Sequence, residues 1–469
     1  MVLRTEGKFI RTPTQYISGK DLQDVPRQNY YKGKVSVRAA TAVGLGAIIG
    51  AGIFVLSGTA IAIAGVYAII SFLIVGFVAI IVAMELGELG SIMPRLKGGA
   101  YSYVYEAFGS ELGFISGILL YFSFATGVSA VALGFGSYLA SMFGITIHSF
   151  SVGFAALLIV ALSFVNMRGI RKAAKADLGL VIVKLLILFV FAAAAVFIAA
   201  SSRSGISAIN FSATAQQATI GAVFAASVAV LFAYSGFQAI STFTSEIEGG
   251  SRKAAMAIIY AVAISIVVYL AVIIALILLV PASQYTVAAD PLSFALTHSG
   301  APGWLSLLVD IGALIATTSA ALALILSSSR VLYQIGENKL LPRFFRKYDR
   351  RKDVAVNGIL LTALISLLML GSGNIYIIAA ISNFGLIFSY ILASFAVFHF
   401  RRIKAHTEFR TPFYPYTSIV AILLLFAIMA GMPKEALIFG TLSVLVLLIF
   451  YYFMRELKEK KVVRIYLFR

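Results

Sequence analysis

Four glycines, Gly44, Gly46, Gly50 and Gly52, fall within nine residues of one apolar stretch that runs from Val43 to Val55. Inside a helix each glycine costs about 1 kcal/mol relative to alanine, so a helix crossing this stretch is weakest at its middle. If the helix stops there, backbone N–H and C=O groups are released into an apolar medium. Each costs several kcal/mol unless something binds it. Two readings follow. The helix is broken and its freed groups bind a substrate or an ion, as in the discontinuous helices of secondary transporters. Alternatively, it is continuous, and the glycines admit a closely packed neighbour.

The surrounding medium follows from composition. Of 469 residues, 61% are hydrophobic and 12% charged, with a mean hydropathy of +0.98, against about 25% charged in soluble domains. This is the profile of a polytopic membrane protein. Residues 1–37 are polar and hold no apolar core of a cleavable signal. There is no cysteine, which excludes disulfides and thiolate metal sites. The four histidines (His148, His298, His399, His406) are scattered, so neither a histidine metal cluster nor any cofactor is expected. The net charge of +18 sits in short loops between apolar segments, so it reads as a topology signal and not as a nucleic-acid surface.

Twelve apolar segments can be drawn, at 38–63, 67–91, 111–140, 151–166, 175–200, 218–245, 254–280, 304–333, 354–371, 375–399, 414–431 and 435–454. Most reach the roughly 20 residues a spanning helix needs. Of the 37 basic residues, 34 fall in the tails and in the loops on one side of this plan. Only Arg203 and Lys434 fall on the other side, and Lys184 lies within a span. The positive-inside rule then puts both termini in the cytoplasm of a cell membrane. The plan divides into a tail (1–37), five spans (38–200), five more (218–400), two further spans (414–454) and a basic tail (455–469), which is expected to lie on anionic headgroups.

A second weak point, Phe232-Ala233-Tyr234-Ser235-Gly236-Phe237, lies in span six. It comes five spans after the first, and a shift of five spans reverses orientation, as an inverted repeat of spans 1–5 and 6–10 requires. The correspondence is one of hydropathy and break position, not of residues.

Several pieces are recognisable in order. Span one carries the stretch 46–58. Span two ends in Glu88-Leu89-Gly90, and Pro94, Gly98-Gly99-Ala100-Tyr101 and Glu106-Ala107-Phe108-Gly109 come after it. Asn166-Met167-Arg168-Gly169 sits between spans four and five, and Glu246 lies ten residues after Gly236. Gly312-Ala313-Leu314 leads to Ser329-Arg330-Val331-Leu332-Tyr333, and Phe409-Arg410-Thr411-Pro412-Phe413-Tyr414-Pro415 precedes span eleven. With these, nearly the whole chain resembles the amino acid permeases of the amino acid–polyamine–organocation (APC) superfamily, close to its cationic amino acid transporter branch. It departs from the family in having Ser245 where a glutamate is frequent, and Gly249-Gly250 in place of Asn-Pro.

The resemblance implies an all-α polytopic protein of the LeuT-type fold. Its core is a 5+5 inverted repeat with helices 1 and 6 broken, and two C-terminal helices are added. It also implies an amino acid site between the breaks. The N–H groups of Gly50, Ala51 and Gly52, with Ile53 following, suit a carboxylate at the positive end of a half-helix. Carbonyls near Ile48 and Ile49, and from Phe232 through Ala233, Tyr234 and Ser235 to Gly236, suit an ammonium. Phe232 matches the family's aromatic gate; as one of 36 phenylalanines it is equally an ordinary packed residue.

Lys184 sits about ten residues into span five, about 15 Å deep. Its stem, about 6 Å long, does not reach the interface. An ionisable side chain there is a functional residue by default, the other reading being a structural ion pair. Related proton-coupled permeases carry a lysine at the matching position, where the ammonium occupies what is a sodium site in other relatives. It would bridge the backbone near Gly46 and Ile49 to hydroxyls of span eight, with Ser319 as first partner and Thr318 as second.

Glu85, Glu88, Glu106, Glu111 and Glu246 lie at helix ends beside Arg95, Lys97, Arg252 and Arg330, and are expected in structural or gating salt bridges. Tyr101 and Pro94 are expected to shape the 2–3 loop. Asn383 and Ser382 either face the pathway or bond between helices. No His/Asp/Glu constellation for an enzyme, no P-loop and no repeated ring for a channel is visible. The expectation is therefore a proton-coupled amino acid symporter, with exchange or sodium-independent facilitation as alternatives. Its partners are a small amino acid, a proton and membrane lipid, without nucleic acid or an evident protein partner. No acidic residue lies in 46–54 or 232–237, which favours neutral over cationic side chains.

The topology is testable because there is no cysteine background. In Phe345→Cys and Ala405→Cys the new thiol should react with an impermeant maleimide only from the cytoplasmic side. In Arg203→Cys and Asp290→Cys it should react only from the opposite side. Labelling of 345 and 290 from one face would overturn the twelve-span plan.

Overall fold

The computed structural model describes residues 36–93, 99–145, 147–169, 173–201, 214, 216–237, 247–248, 250–349, 352 and 354–467. Among these there is no sheet, only an isolated bridge between Asp349 and Val354. The helices in chain order are α1 (Val37–Ile48), α2 (Ala51–Ala64), α3 (Ala68–Ile92), α4 (Ala100–Phe108), α5 (Ser110–Met142), α6 (His148–Arg168), α7 (Ala173–Ser201) and α8 (Ile220–Tyr234). After them come α9 (Gly250–Leu279), α10 (Pro291–His298), α11 (Gly303–Glu337), α12 (Val356–Leu370), α13 (Ile375–Arg402), α14 (Tyr416–Ala430) and α15 (Lys434–Leu467). Several start on a polar cap that takes up orphan N–H groups. Ser36 accepts from Ala39 N at 3.2 Å, Thr219 from Ala222 N at 3.1 Å, and Asn374 from Tyr376 N at 3.0 Å.

Nine helical stretches among the described residues are long and apolar enough to cross a membrane, and α1, α12 and α14 are shorter apolar helices. The first stretch, Ala51–Ile92, holds 42 residues, about 63 Å at about 1.5 Å per residue and twice the hydrocarbon thickness. It is two helices, α2 and α3, parted at Gly65, whose φ of 56° ends α2. Every expected apolar segment coincides with one of these helices or a pair of them, save the second half of span six.

The differences have local causes. Span six stops at Tyr234, with a 3-10 turn over Ser235–Phe237, and residues 238–246 lie outside the described ones, as do Pro94, Arg95, Lys97, Gly98 and Gly249. Span four, expected at 151–166, is longer: α6 has 21 residues, starting at His148 and running past Asn166 to Arg168. Two short helices, α4 and α10, form in connections too polar to register as spans. The basic segment expected as a separate tail continues α15 as helix to Leu467.

Burial follows helical spacing. On α7, Val181, Lys184, Leu188, Phe191 and Ala195 are buried at intervals of three or four residues, while Ile182, Leu186, Phe189 and Val196 are exposed. Lys184 thus sits on the inward stripe and not on the lipid side. Inside, α5 packs along α11 and α13, α3 along α9, and α2 along α8. Hydroxyls and amides bond helix to helix. Ser382 donates to Ser123 O at 2.8 Å, Ser366 to Ala125 O at 2.7 Å, and Asn383 Nδ2 to the Val228 carbonyl. Asn383 and Ser382 therefore act between helices. Such bonds average about 0.6 kcal/mol each in a membrane protein.

Three of the acidic residues, Glu85, Glu88 and Glu111, have partners other than the basic residues expected. Glu88, fully buried, binds Arg401 at the end of α13 through two bonds, Nε–Oε1 and Nη2–Oε2, both 2.7 Å. Its Oε2 also accepts from Thr411 N at 2.7 Å, and Arg401 stacks 4.1 Å from the Tyr414 ring centroid. The segment Phe409–Pro415, recognisable in sequence, thus closes over an ion pair between α3 and α13. Sequence order hid the pair, since its members are 313 positions apart. Glu85 accepts from the Ser394 hydroxyl at 2.6 Å, and Glu111 from Tyr452 at 3.0 Å. Tyr101 accepts from Asn338 Nδ2 at 2.8 Å, which docks α4 on α11.

Removing one member of a buried, doubly bonded pair strands the other charge and costs about 3–5 kcal/mol. Arg401→Ala should lower the melting temperature of the purified protein sharply. Glu88→Gln together with Arg401→Met, which strands no charge, should recover most of the loss.

Candidate functional site

The first break is where the glycines stand. α1 ends at Ile48, Ile49 has φ −76° and ψ 65°, Gly50 has φ −103° and ψ −143°, and α2 begins at Ala51. Gly50 caps α2 without any side-chain bond, so the first N–H groups of α2 have no side-chain partner from the cap. The second break is the end of α8 and its 3-10 turn. There the Phe232 carbonyl accepts from Ser235 N and from the Ser235 hydroxyl, the latter at 2.8 Å.

The two breaks lie directly against each other. A Cβ on Gly236 would stand 2.0 Å from Ala47 O, and one on Gly52 2.2 Å from Ala233 Cα. Both glycines are thus required by backbone approach between α1–α2 and α8. At Gly52 the missing side chain admits the backbone of α8. Gly50 faces α11, where a Cβ would meet Ala320 Cβ at 3.0 Å.

A cavity of about 200 Å³ opens between these elements. Of the expected site residues, Gly46, Ile48, Gly50, Ala51, Gly52, Phe232, Ala233, Ser235, Gly236 and Ser319 line it. Ile49, Ile53 and Tyr234 do not; all three are fully buried, and Tyr234 turns its ring to Tyr269 (4.9 Å) and Phe72 (6.5 Å). The remaining wall comes from α5 (Leu120, Phe124, Val131) and α11 (Ala320, Ala323, Leu324, Ser327), with Gly99, Ala100 and Arg330 towards the end bearing the basic loops. These contributions carry no local sequence signal, since small and apolar residues are everywhere in such helices. No acidic residue is among the lining residues, and Phe232 is 7% exposed.

Lys184, with no exposed surface, donates from Nζ to Ser319 Oγ at 2.6 Å and to Gly46 O at 3.5 Å. The ammonium therefore joins α7 to both α1 and α11. The hydroxyl it meets is that of Ser319, not of Thr318. Thr317 turns its hydroxyl back to Ala313 O at 2.7 Å. A residue that sequence reasoning missed is Tyr269 of α9, fully buried, whose hydroxyl lies 2.7 Å from Ile48 O and 3.0 Å from Ala233 O. Its only trace in sequence is a polar tip in an apolar run.

A family model described as amino acid permease matches residues 35–454. The chain is 29% identical to the methylthioribose transporter of Bacillus subtilis (strain 168), over 81% of this chain and 84% of that one. It is 26% identical to the branched-chain amino acid permease BcaP of the same organism, over 82% and 84%. It is also 26% identical to cationic amino acid transporter 7, chloroplastic, of Arabidopsis thaliana, over 77% and 64%.

The contact between the breaks gives a direct test. Gly236→Ala should lower the melting temperature and remove ligand-induced stabilisation, because backbone stands where the methyl would go. Gly221→Ala in α8, whose Cβ would have only Thr219 Oγ1 within reach at 4.0 Å, should not lower the melting temperature and should keep the ligand-induced stabilisation.

Proposed function

The chain belongs to the amino acid permease family of the APC superfamily, and from that premise we propose that this multi-pass membrane protein moves neutral amino acids by alternating access, driven by protons. The supporting observation is one cavity bounded by both helix breaks, with the Lys184–Ser319 bond at its wall. Twelve crossings, a 5+5 inverted repeat around the breaks, two added helices and cytoplasmic termini are the arrangement this reading takes.

In the cavity, the carboxylate of the substrate takes the uncapped N-terminus of α2 at Gly50, Ala51 and Gly52. Its ammonium takes a break carbonyl. Its side chain lies against Phe232, Phe124 and Leu324, with Phe232 as the lid. A cationic side chain would meet no carboxylate there, and the charged lining residue is Arg330. That favours apolar side chains, in keeping with the branched-chain permease among the relatives.

Lys184 is the coupling residue in this reading. Its ammonium stands in place of a sodium ion and holds α1 to α11 with charge-assisted bonds, about twice as strong as neutral ones. Loss of the proton weakens both bonds and lets the helices part. Substrate exchange, with the lysine permanently charged, is the competing reading.

The test is uptake of L-leucine into proteoliposomes with an imposed pH gradient, with and without sodium. The wild type should accumulate leucine when the outside is acidic, and sodium should make no difference. Lys184→Ala should keep leucine binding within about threefold, since the cavity lies beside the lysine, yet lose accumulation. Sodium-driven uptake, or undiminished accumulation by the alanine variant, would overturn the coupling.

A further inference from the structure

The carbonyls released at the breaks are not equally open to a ligand. A carbonyl oxygen has two lone pairs. Phe232 O already accepts from the Ser235 N–H and from its hydroxyl. Ile48 O accepts from Gly50 N at 2.7 Å and has the Tyr269 hydroxyl at 2.7 Å, while Ala233 O has that same hydroxyl at 3.0 Å. A phenol carries a single proton, and here it faces two acceptors on two different broken helices. Its position is held from behind the cavity. The Tyr269 ring is fully buried and packs edge-on against Tyr234 at 4.9 Å and Phe72 at 6.0 Å.

We propose that Tyr269 is the positioning residue of the amine subsite. It donates to Ile48 O, which with Gly50 N fills both lone pairs of that carbonyl. That leaves the carbonyl of Ala233, a residue lining the cavity, to an ammonium. The hydroxyl also fixes the end of α1 against the end of α8. A zwitterion carries its carboxylate and ammonium on one carbon, so the spacing between the α2 N-terminus and its carbonyl acceptor has to be held. Tyr269 holds it without touching the ligand. This rests on reading the cavity as an amino acid site.

The experiment compares the purified full-length wild type with Tyr269→Phe and Tyr234→Phe, titrated with L-leucine and reconstituted for uptake. Phenylalanine keeps both rings in place, and the titration reads only folded protein. The Tyr234 hydroxyl is buried with no hydrogen-bond partner among the described residues, so its removal is the control for disturbing the ring cluster. Tyr269→Phe should raise the Kd and KM for leucine about tenfold, with turnover at saturation and its pH dependence kept within about twofold. Tyr234→Phe should leave the Kd unchanged. An unchanged Kd in Tyr269→Phe, an equal loss in both variants, or a loss of turnover at constant KM would overturn the proposal alone. Failure of the wild type to bind leucine would overturn the neutral amino acid reading and this proposal with it.

Discussion

Backbone groups released where a helix stops inside an apolar interior must find partners, and the arrangement at the centre of this protein follows from that requirement. α1 stops at Ile48 and α8 at Tyr234. Around them, Gly50 N and the Tyr269 hydroxyl take Ile48 O, Ser235 takes Phe232 O, and Lys184 reaches Gly46 O. The first N–H groups of α2 receive no side-chain cap, and Gly50, Ala51 and Gly52 line the cavity. Partner groups are thus supplied by the breaks themselves and by two other helices, α7 and α9. This is why a cavity in an otherwise close-packed apolar bundle forms here.

Close approach is the companion constraint. Gly52 against Ala233 and Gly236 against Ala47 bring two backbones together where any side chain would separate them. The helix is broken and not continuous, yet the close approach of a neighbour that the continuous reading required is present as well. Gly50 stands in the break, and Gly52 admits the neighbouring chain.

What was legible in sequence was local. Glycines in an apolar run announce a break, and a lysine in mid-span announces a buried ammonium. Serine and threonine at 317–319 announce the hydroxyls that could meet it, and the family resemblance joined Lys184, Gly46 and Ser319 in advance. What was not legible depends on which helix faces which. Arg401 meets Glu88 across 313 positions, Tyr269 meets Ile48 across 221, and the α5 wall of the cavity is made of residues typical of any membrane helix. Ile49, Ile53 and Tyr234 were placed at the site by adjacency in sequence. Helical rotation turns Ile53 and Tyr234 into the core, since neighbours along a helix point about 100° apart, while Ile49 is buried within the break itself.

Ser319 is at once a wall of the cavity and the acceptor of Lys184 Nζ at 2.6 Å. In the proposed reading, cavity occupancy and lysine protonation act on one hydroxyl. A coupling of this kind is reciprocal: whatever factor a bound ligand imposes on proton affinity, the proton imposes on ligand affinity. On the proposed mechanism, a serine at this point would link the two equilibria directly, with no long chain of intermediaries between them. The strength of the linkage is then set by how much water stays around that hydroxyl when the cavity fills.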